Sequence, residues 1–307
     1  LNIDSDKKRV LFVINPISGG KKKEHLPEFY RQNLDKFRYT CEIYWWEMVD
    51  DLEAKLKSFV KSGGWAVAAV GGDGTVSLVA KTVRRSKTLL VIVPVGSGNG
   101  LARQLGIPRS SKSAIEMLNS PDQHVEIKLD TVDSNAGSFV NVCGLGFDAD
   151  VANEFAEGGK RGFWGYVLAV WRLYWKSKNT VFELQIDGEK HSIPGFMLSI
   201  ANGSQWGNDF HIAPKAYLND GELDIVVVRK PNLRQIPFLM RALRRSRLHP
   251  SLIYKRGKTI QVSTNQKLGI HLDGEPVGTT NNFIAEIQTA SLRVLISKDW
   301  TTQAIMA

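Results

Sequence analysis

A chain of 307 residues, 43% apolar and 23% charged, is long enough for a large core, and its composition excludes a fibrous, collagen-like or disordered protein. Its 40 Lys and Arg outnumber 31 Asp and Glu, a formal net charge of +9, which favours anionic partners without favouring any fold. The two cysteines, Cys41 and Cys143, stand far apart with no metal-ligand spacing around them, which excludes a disulfide framework and fits a reducing compartment.

The first part of the chain alternates strand and helix signals. Val10 to Ile14 is an apolar run followed by a helical stretch around Glu24 to Leu34. Cys41 to Trp45 predicts a strand, and Asp51 to Lys61 an amphipathic helix. Ala66 to Val70 is a short apolar run that stops at Gly71-Gly72-Asp73-Gly74-Thr75, after which Val76, Val79 and Val83 recur at helical spacing. Leu89 to Val93 predicts the next strand. It is followed by a glycine turn, a short helix near Leu101 and a further helix over Ser113 to Leu118. Such alternation implies a parallel sheet covered on both faces, with ligands beyond the carboxyl ends of its strands.

From His124 onward the period changes to two. Strands are expected at Val125–Leu129, Phe139–Val142, Val181–Ile186, Met197–Ala201, Leu223–Val228, Thr259–Ser263, Lys267–Leu272 and Phe283–Ile287, with helices around Tyr166 and Leu239. Asp187-Gly188, Asp220-Gly221 and Asp273-Gly274 are hairpin-type dipeptides. The fold class is therefore an α/β N-terminal domain with a parallel sheet, residues 1–125, followed by an all-β sandwich-like second domain, residues 126–295. The most hydrophobic stretch, Gly162 to Trp175, is too short to span a bilayer, and no signal peptide is visible, so a cytoplasmic location is expected.

Glycines let a backbone approach a ligand closely, and N–H groups at a helix start favour an anion such as a phosphate. Asp73, set among such glycines, would repel a phosphate unless a cation lay between, so this loop suggests a nucleotide–magnesium site. Two better-known frameworks do not apply. The glycine-rich loops lack the Gly-Lys-Ser/Thr ending of a Walker loop, and Leu101 and Ser77 stand where a dinucleotide fingerprint would need its third glycine.

Four motifs in order resemble the diacylglycerol kinase catalytic domain family, which also includes sphingosine and ceramide kinases and, more distantly, NAD kinases. They are Asn15-Pro16-Ile17-Ser18-Gly19-Gly20, Gly71-Gly72-Asp73-Gly74-Thr75, Pro94-Val95-Gly96-Ser97-Gly98-Asn99-Gly100-Leu101-Ala102-Arg103 and Leu272-Asp273-Gly274-Glu275-Pro276. The resemblance runs from about Val10 to about Ile296. It implies an NAD-kinase- or diacylglycerol-kinase-like fold, with residues 296–307 returning to the first domain, and ATP and Mg2+ as cofactors. Asn15, Pro16, Ser18 and Gly19 would approach the nucleotide. Gly71, Gly72, Gly74 and Thr75 would cradle its phosphates, Asp73 would act through magnesium, and Gly96, Ser97 and Asn99 would add contacts. Asp273 is the implied general base, with Glu275 as the alternative base or a second metal-linked carboxylate. By the same resemblance Asn219-Asp220-Gly221-Glu222-Leu223-Asp224 corresponds to a segment that holds a structural divalent ion in some bacterial members. Its ligands here would be the Asp220 carboxylate and backbone oxygens at Tyr217 and Glu222. The chain departs from the family at Ser77 and Leu78, where many relatives have Asn and Glu. It also carries Ser97 where diacylglycerol kinases commonly have Thr, a form closer to sphingosine and ceramide kinases.

The expected function is an ATP-dependent lipid kinase acting on diacylglycerol. A sphingoid or ceramide kinase, a non-catalytic nucleotide- or lipid-binding regulator, and a kinase of a soluble acceptor are the alternatives. Arg229 to Lys258 carries ten Lys and Arg and no Asp or Glu, with Phe238, Leu239, Leu243 and Leu248 interleaved. No nucleic-acid-binding motif accompanies it, so no nucleic acid is expected as partner. The expected partner is a lipid substrate at a membrane surface, which would place the protein peripherally at the inner membrane face. The oligomeric state stays open, a homodimer included.

Overall fold

The computed structural model describes residues 7–18, 23–96, 98–151, 172–177, 179–207 and 209–300. The chain divides into two compact units, one of residues 1–130 with 290–307 and one of residues 131–289.

In the first unit β1 (Lys8–Ile14), β2 (Tyr39–Trp45), β3 (Ala66–Gly71) and β4 (Leu89–Pro94) are parallel, in the order β2-β1-β3-β4. The helices are α1 (Leu26–Asn33), α2 (Val49–Lys61), α3 (Asp73–Val83), α4 (Gly100–Gln104) and α5 (Ser111–Asn119). Every residue of β3 and β4 is buried, the mark of strands covered on both faces, so their sequences are continuous apolar runs rather than alternations. Val10, Phe12, Ala68, Val70, Val91 and Val93 pack with Leu26, Tyr30, Ile115 and Leu118. Leu52, Leu56, Phe59 and Val79, from α2 and α3, are also buried. Ser110 caps α5, its side chain accepting from the N–H of Ser113. The C-terminal stretch supplies one more parallel strand, paired with β4 through Val294 and Leu90.

The connecting strand β5 (His124–Ser134) leads to the second unit, which holds β6 (Gly137–Phe139), β7 (Val142–Gly146), β8 (Thr180–Ile186), β9 (Glu189–Gly195), β10 (Met197–Ala201), β11 (Gln205–Gly207), β12 (Phe210–His211), β13 (Leu223–Val228), helix α6 (Ile236–Arg244), β14 (Leu252–Gly257), β15 (Thr259–Leu272) and the long β16 (Glu275–Ser297), whose last residues belong to the first unit. Here pairing is antiparallel, in the order β14-β13-β10-β7-β15-β16, with β8 and β9 continuing from β15. Alternation sorts the side chains. Leu198, Ile200, Ile225 and Val227 join a core with Phe182, Val262 and Phe283, while Met197, Ala201, Val226 and Val228 pack beneath Leu239 and Leu243 of α6.

Two strand expectations change. Thr259–Ser263 and Lys267–Leu272 are one strand with a register irregularity between Ser263 and Leu268. The expected strand Phe139–Val142 is broken between β6 and β7, because the N–H groups of Val140, Asn141 and Val142 are taken by a side chain. The expected helix around Tyr166 lies outside the described residues.

Candidate active site

In the first unit three loops leave the carboxyl ends of the adjacent strands β1, β3 and β4, and they are bonded to one another. The Asn15 amide donates to Thr75 Oγ1 at 3.0 Å, and its Oδ1 accepts from the N–H of Ile17. The N–H groups of Val95 and Gly96 donate to the Gly71 carbonyl. Asp73, at the first position of α3, accepts from the N–H of Asn99 at 2.7 Å with one oxygen and from that of Gly100 at 2.6 Å with the other. The aspartate thus ties the second motif to the third. The glycines are needed where backbones meet. A Cβ on Gly96 would lie 2.5 Å from Gly72 Cα, and one on Gly98 would strike the Asp73 carboxylate.

Asn99 is buried, with φ at 58°, a conformation that Asn tolerates better than most residues. Its amide nitrogen donates to the Gly96 carbonyl at 2.7 Å, so this side chain turns inward and holds the loop. Pro16 and Ser18 present their carbonyls to the buried Lys23 ammonium, whose pKa is lowered by burial. Arg103 and Arg109 donate to the carbonyls of Gly98 and Gly96. The roles of Lys23 and Arg109 were invisible in the sequence, where Lys23 closes an ordinary lysine run and Arg109 stands in no motif. Gly19 and Ser97 lie outside the described residues.

In the second unit Asp273 and Gly274 form the two-residue turn between β15 and β16, both with positive φ, as an Asp-Gly hairpin requires. The Asp273 carboxylate accepts from the N–H groups of Val140, Asn141 and Val142, the closest at 2.8 Å. These donors break the predicted strand and fix the carboxylate in place. Glu275, just past the turn, is exposed. Beneath the turn His271 is buried. Its Nδ1 accepts from the Gly274 N–H at 3.1 Å, so Nε2 carries the proton and donates to Asp148 at 2.7 Å. Burial opposes charging the ring, and the Asp148 carboxylate outweighs it and raises the pKa. Trp206 donates to the same Asp148 oxygen at 2.9 Å. His211, between Ser204 and Gln205, has its pKa lowered by burial and is neutral at pH 7.

The segment expected to hold a structural cation is built differently. Asp224 on β13 stands directly opposite Arg256 on β14, and the guanidinium reaches Asp220, Glu222 and Asp224 together. Asp220 gives one oxygen to Arg256 and the other to the N–H of Glu222. The Asp220 carboxylate, expected as a metal ligand beside backbone oxygens at Tyr217 and Glu222, thus has both its oxygens engaged within the protein, and one guanidinium faces three carboxylates. Among the described residues no group of His, Cys, Asp or Glu has the arrangement to hold a metal ion.

The family comparisons decide what these loops belong to. The family described as "Diacylglycerol kinase catalytic domain" matches residues 9–129, and that described as "YegS C-terminal NAD kinase beta sandwich-like domain" matches residues 141–296. The chain belongs to the diacylglycerol kinase catalytic domain family. It is a lipid kinase. The diacylglycerol kinase of Bacillus subtilis is 27% identical over 279 residues, covering 87% of this chain and 90% of its relative. That of Staphylococcus carnosus is 24% identical over 278 residues, covering 88% and 89%. A Bacillus anthracis crystal structure described as a diacylglycerol kinase shares the fold with a TM-score of 0.72 at 17% identity, over 97% of this chain and 98% of that one. Among the described residues of this lipid kinase no helix is long and apolar enough to cross a membrane.

Proposed function

We propose that this lipid kinase transfers the γ-phosphoryl group of ATP to the primary hydroxyl of diacylglycerol. The observation that carries the reading is the mutual bonding of the loops after β1, β3 and β4. Two backbone N–H groups of the third motif grip the carboxylate that opens α3, and glycines stand where the loops after β3 and β4 approach most closely. Glycines at these contacts let a phosphate approach the backbone at the start of α3 closely. Asn15, Thr75 and Asp73 are the residues placed to position the nucleotide, Asp73 through magnesium, which would neutralise charge on the phosphates.

Asp273 is the group proposed to take the acceptor hydroxyl's proton. A carboxylate suffices as proton acceptor where the transition state is loose and the proton leaves late. The left-handed turn fixes its direction, and Glu275 on the exposed side of the hairpin is the alternative base.

The test is transfer from labelled ATP with magnesium to diacylglycerol, sphingosine and ceramide in mixed micelles, with Asp273→Asn beside the parent. Labelled phosphatidic acid, reduced about 10²- to 10⁴-fold in the variant, is the expected result. Product on sphingosine or ceramide alone would move the acceptor to the sphingoid class. Nucleotide binding without product on any lipid would sink the reading.

A further inference from the structure

The helix α6 buries only Leu239 and Leu243, one turn apart, against the core of the second unit. At 100° per residue the opposite face carries Arg241, flanked by Phe238 and Met240, with Arg244 beside it. Phe238 is 68% exposed and Met240 41%, and the segments on either side add Leu233 at 44% and Leu248 at 48%. Single exposed apolar residues are ordinary, but four on and around one short helix are not. Arg234, Arg241, Arg244, Arg245 and Arg247 are interleaved with them, all exposed. Among the described residues none of these five arginines has an ion-pair partner. By contrast, other cations of the same stretch are engaged. Arg256 is held by three carboxylates, and Lys230 lies over the Tyr174 ring and donates to the Ser177 carbonyl.

We propose that the outward face of α6, with Leu233 and Leu248 at its flanks, docks this lipid kinase on an anionic bilayer. The occupant follows from the mixture of groups. Guanidinium groups pair with lipid phosphates in a fork geometry, and a short row of Phe, Met and Leu side chains between them enters the acyl boundary. A protein partner of acidic surface would use the arginines but leave Phe238 unexplained, and a duplex nucleic acid would use neither Phe238 nor Met240. The stretch from Arg229 to Lys258 contains no acidic residue that would repel an anionic surface. The proposal rests on reading the acceptor as a membrane lipid.

Sedimentation with vesicles of phosphatidylcholine alone, and of an equimolar mixture with phosphatidylglycerol, tests the docking. The parent should bind the mixed vesicles far more tightly than the neutral ones. The variant R241Q/R244Q/R245Q/R247Q should bind the mixed vesicles roughly a hundredfold more weakly. F238S/M240S should weaken binding about tenfold, with melting curves matching the parent because both positions are exposed. Both variants should phosphorylate a short-chain, water-dispersed diacylglycerol at the parent rate when no vesicles are present. Parent-like vesicle binding by either variant, equal binding of neutral and anionic vesicles, or capture of duplex RNA in place of vesicles would overturn the proposal. If the parent never phosphorylates the short-chain acceptor, the acceptor reading fails, and the vesicle series still decides the docking.

Discussion

A methyl group on Gly96 would have to share space with the Cα of Gly72, and neither backbone can yield without parting the loops after β3 and β4. Gly96→Ala should therefore cost on the order of 1–3 kcal/mol by overpacking and weaken nucleotide binding at least about tenfold. Titration with a fluorescent ATP analogue checks this, and parent-like affinity would mean that the loops do not need their observed approach. The glycines were legible in the sequence as glycines, but their partners were not. Nothing in the spacing of Gly72 and Gly96 says that they touch, because that contact depends on the pairing of β3 with β4. Asp73 was read as a magnesium carboxylate, and the structure adds that both its oxygens hold the backbone of the third motif. His271 carried no motif of its own. Its work under the Asp273 turn depends on Asp148, more than a hundred residues away in the chain.

At the scale of elements, the strands covered on both faces were the easiest to read. Continuous apolar runs such as Leu89 to Val93 bounded by turn residues have few alternatives. The hairpins at Asp187-Gly188 and Asp273-Gly274 were equally plain, since that dipeptide supplies the two positive φ values a two-residue turn needs. The break at residues 140–141 was hidden, because a carboxylate from the far end of the second unit takes the N–H groups that a ladder would have used. So was the pairing of β13 with β14, which sets Asp224 opposite Arg256 and Tyr254 on the same face. That pair makes a prediction. Burial raises the pKa of Asp224 to about 6, and the neighbouring Asp220 and Glu222 add to the rise, while Tyr254 and Arg256 oppose it. In the unfolded chain the group titrates near 3.9. Between these values the folded state holds the proton and the unfolded state does not, so stability falls as pH rises. The contribution is fully present below about 4 and is lost by about 6. The upper limit is about 3 kcal/mol. Melting curves of the parent and Asp224→Asn across this window should diverge as pH rises, the parent losing stability relative to the variant. A constant difference would show that Asp224 does not titrate there.

The whole molecule is laid out so that the first unit is completed by the last stretch of chain. Leu292, Val294 and Ile296 are fully buried there, and Leu295 nearly so. Ala290 donates to Asp130 at 2.7 Å, and Arg293 forms a two-point pair with Glu126. Burial of four such side chains contributes about 1.5–3 kcal/mol each, a sum comparable to the stability of an entire domain. A chain ended at Thr289 should therefore lose cooperative unfolding of the first unit while residues 131–289 keep their own core. Limited proteolysis followed by mass mapping would check this. Resistance of residues 7–130 equal to that in the full chain would show that the last strand is dispensable.

The sequence by itself determined the two kinds of layer, the positions of most strands along the chain and the four motifs that mark a lipid kinase. Each of these is written locally, in hydrophobic period, in turn dipeptides and in glycines at fixed spacing. Only the tertiary structure decided which backbone atoms Asp73 and Asp273 hold, that Arg256 reaches Asp220, Glu222 and Asp224 together, and which face of α6 remains uncovered. Those outcomes depend on residues distant in the chain meeting across strand pairings, and one sequence carries no local signal of which strands will pair.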